Sequence, residues 1–306
     1  MQVYLPIAEM AVNPYLMVGI GALVGAISGL FGIGGGFLLT PLLMLFGIPA
    51  PIAVVSGANV SAASSMSSLM AQLERKSIDL RMGLLVSVAG VIGVGFGSII
   101  FKALHNSGYA EPVVRVAYVF LLGAVGYSLV SEAMRAKSQA ANAQIDAKKR
   151  KSNIGYRLPF KMRFPRSRLY VSIIPPILIG FAIGTLSAIL GVGGGFLLIP
   201  ALIYIVNLPP SLVVGTSIFQ VLIMSSTTTF VQASVGGALD LVLVGMLIIG
   251  AVVGAQIGTL FGRRLKGEEL RLILGGIIVI LATVLASQLF FTPSNMFNTS
   301  SAGGGL

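Results

Sequence analysis

Cysteine and tryptophan are absent from the 306-residue chain, and His105 is its single histidine. Without cysteine there is no disulfide framework, thiol nucleophile, zinc–thiolate or iron–sulfur site, and no haem attachment through Cys-x-x-Cys-His. Charge is the next scarcity. Only 9% of residues are Asp, Glu, Lys or Arg, where a soluble domain needs about a quarter. Apolar residues make up 56% of the chain, the mean hydropathy is +0.97, and the apolar residues come in long runs. That excludes an ordinary soluble enzyme and describes an integral membrane protein.

The formal net charge of +11 invites a nucleic-acid reading until the charges are located. Eleven of the 20 Lys and Arg lie between Arg135 and Arg168, four more are Arg263, Arg264, Lys266 and Arg271, and three are Arg75, Lys76 and Arg81. These are short stretches between apolar runs, as in the cytoplasmic loops of a membrane protein. They are not basic residues interleaved with aromatics on a folded face, so the expected partner is the bilayer and not nucleic acid. The first residues, MQVYLPIAEM, place no basic region ahead of an apolar run, so a cleaved signal peptide is not expected.

The chain repeats itself. SGLFGIGGGFLLTP from Ser28 to Pro41 matches SAILGVGGGFLLIP from Ser187 to Pro200 at nine of fourteen positions, at an offset of 159. Ser77-Ile78-Asp79-Leu80 answers Ala238-Leu239-Asp240-Leu241, and Gly93 and Gly97 answer Gly254 and Gly258. Both glycine pairs have the G-x-x-x-G spacing that lets membrane helices approach closely. Asp79 and Asp240 stand beside helix starts, where N-capping is the default role.

Apolar runs of about twenty residues predict spans near 51–73, 82–103, 113–134, 210–233, 241–262 and 270–291. Each half also opens with an interrupted segment, 14–30 then 37–47, and 175–190 then 196–207. Placing the basic linker in the cytoplasm makes each interrupted segment return to the side it entered from. The two halves then have opposite orientation. The expected fold is an all-α polytopic membrane protein of two inverted repeats, each a glycine-tipped broken-helix hairpin plus three transmembrane helices. The expected divisions are a first repeat at 1–134, a basic cytoplasmic linker at 135–170, a second repeat at 171–291 and a short extracytoplasmic tail at 292–306. Both termini are expected outside. Inverted repeats with broken helices are the architecture of secondary transporters, which bind substrate near the midplane.

Gly32-Ile33-Gly34-Gly35-Gly36 and Gly191-Val192-Gly193-Gly194-Gly195 are too glycine-rich to persist as helix. Irregular backbone is tolerated in a membrane only where protein buries it or a wet cavity accommodates it. A glycine turn that opens a helix presents N–H groups at a positive dipole end, which suits an anion. Close packing is the competing explanation. No Gly-Lys-Ser/Thr follows either run, so a nucleotide P-loop is excluded.

The candidate substrate-binding residues are Gly34, Gly35, Gly36 and Phe37 with Asn59, and Gly193, Gly194, Gly195 and Phe196 with Thr216, Ser217 and Gln220. Further hydroxyls and amides lie in the same two spans: Ser56, Ser61, Ser64, Ser65, Ser68 and Gln72, then Ser225, Ser226, Thr227 and Gln232. For any one of these, interhelical hydrogen bonding is the competing role. No charged residue falls between Pro14 and Leu73 or between Pro175 and Leu239. Valine at Gly35 or at Gly194 is expected to abolish transport by blocking a positive φ and close approach by the substrate.

The doubled G-[IV]-G-G-G-F-L motif, with the Val-Val helix that follows each copy, resembles the TauE/SafE family of sulfite-exporter-like permeases over about 250 residues. The resemblance implies transport, with export expected, of small sulfur-containing anions such as sulfite or organosulfonates across the plasma (inner) membrane. No cofactor, metal or catalytic residue is expected. A small anionic substrate is the implied partner, and homo-oligomerisation stays open. Family members often begin the second helix with a Gly-Thr-Ser run in both halves; Gly215-Thr216-Ser217 keeps it, whereas the first half has Ser56-Gly57-Ala58-Asn59. Transport of another small anion, or proton- or sodium-coupled permeation, is the alternative. A membrane-embedded enzyme would need His, Asp, Glu or a metal cluster within the membrane.

Overall fold

The computed structural model describes residues 3–8, 10–74, 77–139, 160–164, 166–167, 169–236, 239–261 and 267–290. The expected tail at 292–306, most of the linker and the basic residues Arg263, Arg264 and Lys266 lie outside them. The first half holds helices α1 (Pro14–Phe31), α2 (Gly36–Leu45), α3 (Ala50–Glu74), α4 (Leu80–Asn106) and α5 (Ala110–Gln139). The second holds α6 (Ile174–Leu190), α7 (Gly195–Ala201) running into a π-helical turn at Leu202–Val206, α8 (Pro210–Gly236), α9 (Leu241–Phe261) and α10 (Gly267–Phe290). The chain is an all-α polytopic membrane protein. Helices α1, α4, α5, α8 and α9 contain segments long and apolar enough to cross a membrane. α3 has the length, but its serines and glutamine dilute its apolar character.

Helix ends follow local sequence. Asn13 caps α1, its Oδ1 accepting from Tyr15 N at 3.1 Å with Pro14 in the first turn. Both first arms stop at a left-handed glycine, Gly32 (φ 69°) and Gly191 (φ 68°), whose N–H bonds back to Ser28 O and Ser187 O. α4 and α9 begin at Asp79 and Asp240, which accept from Met82 N and from Val242 N and Leu243 N. Capping was the role expected of both.

Each first arm packs along the long helix of the other half. A Cβ on Gly21, Gly25 or Gly29 of α1 would stand 2.2–2.3 Å from the carbonyl oxygens of Leu247, Ala251 and Ala255. α9 answers with Gly250, Gly254 and Gly258 against Val18, Ala22 and Ala26. The order of these contacts makes α1 and α9 parallel. α4 and α6 meet in the same way, with Gly93 and Gly97 on Phe181 and Thr185, and Gly180 and Gly184 on Val86 and Gly90. These are small-residue seams of membrane helix packing, where backbones touch without side chains between them. α5 and α10 run antiparallel, since Gly126 meets Val279 and Gly275 meets Val130.

Two antiparallel hairpins were not anticipated. Val3–Leu5 pairs with Met10–Val12 just before α1, and Lys161–Phe164 with Leu169–Ser172 just before α6. The first half's hairpin reaches Asp240 of the second, with Ile7 N donating to Oδ2 at 3.2 Å. The second half's hairpin reaches Asp79 of the first, with Ser167 N donating to Oδ2 at 3.2 Å. Each carboxylate therefore caps its own helix with one oxygen and fastens the other half's hairpin with the second. Gly47, just before α3, lies beside Met10 of the first hairpin. α3 then runs 25 residues, about 37 Å, to the Asp79 end. The two hairpins thus sit at opposite ends of the helix bundle. The expected linker, 135–170, is entered by α5 up to Gln139 and left through a hairpin strand.

Candidate substrate site

The two glycine tips meet in the centre of the molecule. A Cβ on Gly36 would stand 2.4 Å from Gly191 O, and one on Gly195 would stand 2.3 Å from Ile33 O. The tips therefore touch backbone to backbone. Phe37 and Phe196, the first side chains after them, stack with ring centroids 4.8 Å apart and planes 18° from parallel. They are 1% and 5% exposed. The contacts bring Gly36, Phe37, Gly195 and Phe196 together, with Gly34, Gly35, Gly193 and Gly194 in the adjoining turns.

Within the tips the copies differ. Gly34 (φ 75°), Gly193 (φ 74°) and Gly194 (φ 81°) have left-handed backbone, but Gly35 is right-handed at φ −71°. The expectation that Gly35 and Gly194 share one conformational requirement is corrected here. Gly35 already heads the first turn of α2, and a Cβ there would touch Val24 Cγ1 at 3.2 Å. One on Gly194 would collide with Ile183 Cγ2 at 2.3 Å.

Ser61 of α3 is the residue the sequence reading undervalued. Its Oγ accepts from Gly36 N at 2.6 Å, and its Cβ lies against Gly193, so it touches both tips. Val221 of α8 takes the corresponding place beside Gly195 and offers no acceptor. Ser225 Oγ, one turn on, faces Gly193 and has no hydrogen-bond partner. The signal for Ser61 was its position relative to the glycine motif. The motif repeats at an offset of 159 and the Asp79–Asp240 pair at 161, so the offset changes between them, and the packing shows that Ser61 matches Val221, 160 residues on.

The other expected residues divide. Asn59 donates from Nδ2 to Val55 O at 2.9 Å within its own helix. Thr216 donates to Leu212 O at 2.7 Å and accepts from Asp79 N at 3.1 Å, so it anchors the end of the bundle rather than the tips. Ser217 Oγ is buried and unpartnered. Gln220 contacts Met224 Sδ through Nε2 at 3.0 Å and leaves Oε1 buried and unpartnered. Two long side chains close off α6 behind the second tip. Tyr118 OH donates to Leu190 O, and Gln232 Nε2 donates to Ala188 O at 3.0 Å. These are carbonyls of the last helical turn, which lack partners within the helix.

Among the described residues the buried charged side chains are Asp79 (1% exposed) and Asp240 (0%), both at helix ends away from the tips. Among the same residues no three His, Asp or Glu side chains converge. The centre can therefore offer backbone N–H, hydroxyl and amide groups to a ligand, but no full charge.

The sequence pattern of the family described as "Sulfite exporter TauE/SafE" matches residues 17–285, from α1 to α10. The chain belongs to the TauE/SafE family. It is 27% identical over 277 residues to "Probable membrane transporter protein YjnA" of Bacillus subtilis, covering 89% of this chain and 98% of that protein. It is 23% identical over 287 residues to "Probable membrane transporter protein YunE" of the same organism, covering 90% and 98%. A "Probable membrane transporter protein" of Xylella fastidiosa is 26% identical over 271 residues, covering 87% and 92%. No solved structure matches. As a TauE/SafE protein with these relatives, the chain is a multi-pass membrane transporter, and the names point to transport rather than to enzymatic chemistry.

Proposed function

We propose that this transporter exports small sulfur-containing oxyanions, such as sulfite or an organosulfonate, across the plasma membrane. The observation that carries the proposal is the meeting of both glycine tips in a centre with neutral donors and, among the described residues, no charged side chain. Glycine backbone and hydroxyls favour an anion through N–H and O–H donors, whereas a cation path would be lined by carboxylates or carbonyl rings. Sulfur chemistry comes from the family's description and not from a residue. The two halves act as inverted repeats about an axis between Phe37 and Phe196; the antiparallel run of α5 and α10, and the parallel pairs α1/α9 and α4/α6, support this. The basic linker faces the cytoplasm by the positive-inside rule, which puts the first hairpin and Asp240 outside. The test is counterflow in proteoliposomes with labelled sulfite, sulfoacetate and rubidium. Uptake of either sulfur anion, with none of rubidium, is expected; rubidium uptake alone would reverse the assignment.

A further inference from the structure

Counted from the residues that face the tips, α3 and α8 carry the same polar pattern. Four, seven and eleven residues beyond Ser61 stand Ser65, Ser68 and Gln72; at the same steps beyond Val221 stand Ser225, Thr228 and Gln232. At helical spacing each triad forms one stripe. All six side chains are buried. The hydroxyls of Ser65, Ser68, Ser225 and Thr228 have no hydrogen-bond partner. Some hydroxyls of the bundle's helices bond back to a carbonyl one turn earlier, as Thr227 does to Ile223 O at 2.8 Å and Ser98 to Val94 O at 2.7 Å. Ser56, Ser67, Ser87, Ser187, Ser217 and Thr229 are also unpartnered, and what sets the four apart is their matched steps from the tips. A buried polar group left without a partner is costly, and four at repeated positions call for a ligand or water.

Their direction gives them a role. α8 starts where α3 ends, because Gly215 abuts Ser77 O and Thr216 accepts from Asp79 N. From the tips, Ser65, Ser68 and Gln72 therefore lead to the Asp79 end, and Ser225, Thr228 and Gln232 to the Asp240 end. α8 has no charged residue at all, and α3 has none before Glu74. We infer that the two triads mark the two halves of the translocation path, in which the four unpartnered hydroxyls pass a small oxyanion from the tips toward either membrane face and Gln72 and Gln232, already bonded to Ser77 and Ala188, stand at the outer ends. The inference rests on the reading of this chain as an anion transporter and assigns its route.

The absence of cysteine makes the test direct, because each introduced thiol is unique. Ser68→Cys and Thr228→Cys are treated in intact cells and in inverted vesicles with sulfonatoethyl methanethiosulfonate, an impermeant anionic thiol reagent. Ser107→Cys, exposed at the end of α4 on the Asp240 face, and Tyr170→Cys, exposed on the second hairpin, report the two faces. Thr228→Cys is expected to react only in the preparation that labels Ser107→Cys, and Ser68→Cys only in the one that labels Tyr170→Cys. Modification should abolish transport in both. Ser65→Cys and Ser225→Cys serve where either first variant fails to insert. An absence of reaction at the triads while both controls react overturns the inference, as does reaction of both triads from one face. One-sided labelling without sulfite or sulfoacetate flux would leave the route standing and remove the substrate; flux without labelling would do the reverse.

Discussion

Gly35 and Gly194 occupy the same place in the two motifs, yet a methyl group would affect them very differently. Gly35→Ala meets ordinary right-handed backbone and one side-chain methyl that must give a few tenths of an ångström. Gly194→Ala places a Cβ in left-handed backbone, at about 1–2 kcal/mol, and drives it into Ile183. Gly35→Ala is expected to keep most transport. Gly194→Ala is expected to lose it, with a lower melting temperature in detergent; equal activity in both would remove the asymmetry. Ser61→Ala frees the N–H of Gly36 from its acceptor, a loss of about 1 kcal/mol, and takes the hydroxyl from the first tip. Transport should fall further in Ser61→Ala than in Asn59→Ala, whose amide bonds only its own helix. The reverse order would restore Asn59 as the site residue. Sequence alone could not rank these two: both are polar residues in one serine-rich helix, and the offset changes between the glycine motif and the aspartates, so the match of Ser61 with Val221 is fixed only by the packed tips.

At the scale of the element, the glycine runs, their helical arms and the long spans were legible because glycine, proline and apolar length act locally. The hairpins were not. Strands of three or four residues carry almost no pattern, and a two-stranded hairpin is barely stable alone. What holds these two is a contact more than 80 residues distant in sequence, a backbone N–H on a buried carboxylate of the other half. Asp79→Ala and Asp240→Ala should each remove a cap, at about 1–2 kcal/mol, and also release a hairpin. Protease sensitivity should rise at residues 3–12 in Asp240→Ala and at residues 161–172 in Asp79→Ala. Cleavage at the same-half hairpin instead would contradict the crossed arrangement. Asp79→Asn and Asp240→Asn keep an acceptor oxygen. They should preserve flux if the carboxylates are fasteners, whereas folded but inactive variants would make them part of ion coupling.

Across the whole molecule, the reciprocal packing of first arms on partner helices makes each half incomplete without the other. On the proposed orientation, set by the positive-inside rule, the basic linker lies in the cytoplasm. A reporter fused after residue 150 should read cytoplasmic, and reporters at both termini extracytoplasmic; termini on the linker's side would remove the inversion. On the proposed reading the centre holds an anion through neutral donors, with no buried carboxylate there among the described residues, and so calls for no proton. A negative interior drives a monoanion outward by about 2.3 kcal/mol per 100 mV, enough for export without a coupled ion. The most direct measurement is therefore efflux of labelled sulfite from proteoliposomes whose potential is clamped with potassium and valinomycin while a pH gradient is imposed separately. Efflux is predicted to accelerate as the interior becomes negative, to ignore the pH gradient and to vanish in Gly194→Val. Efflux that follows the pH gradient and ignores the potential, or that survives in Gly194→Val, would contradict the account.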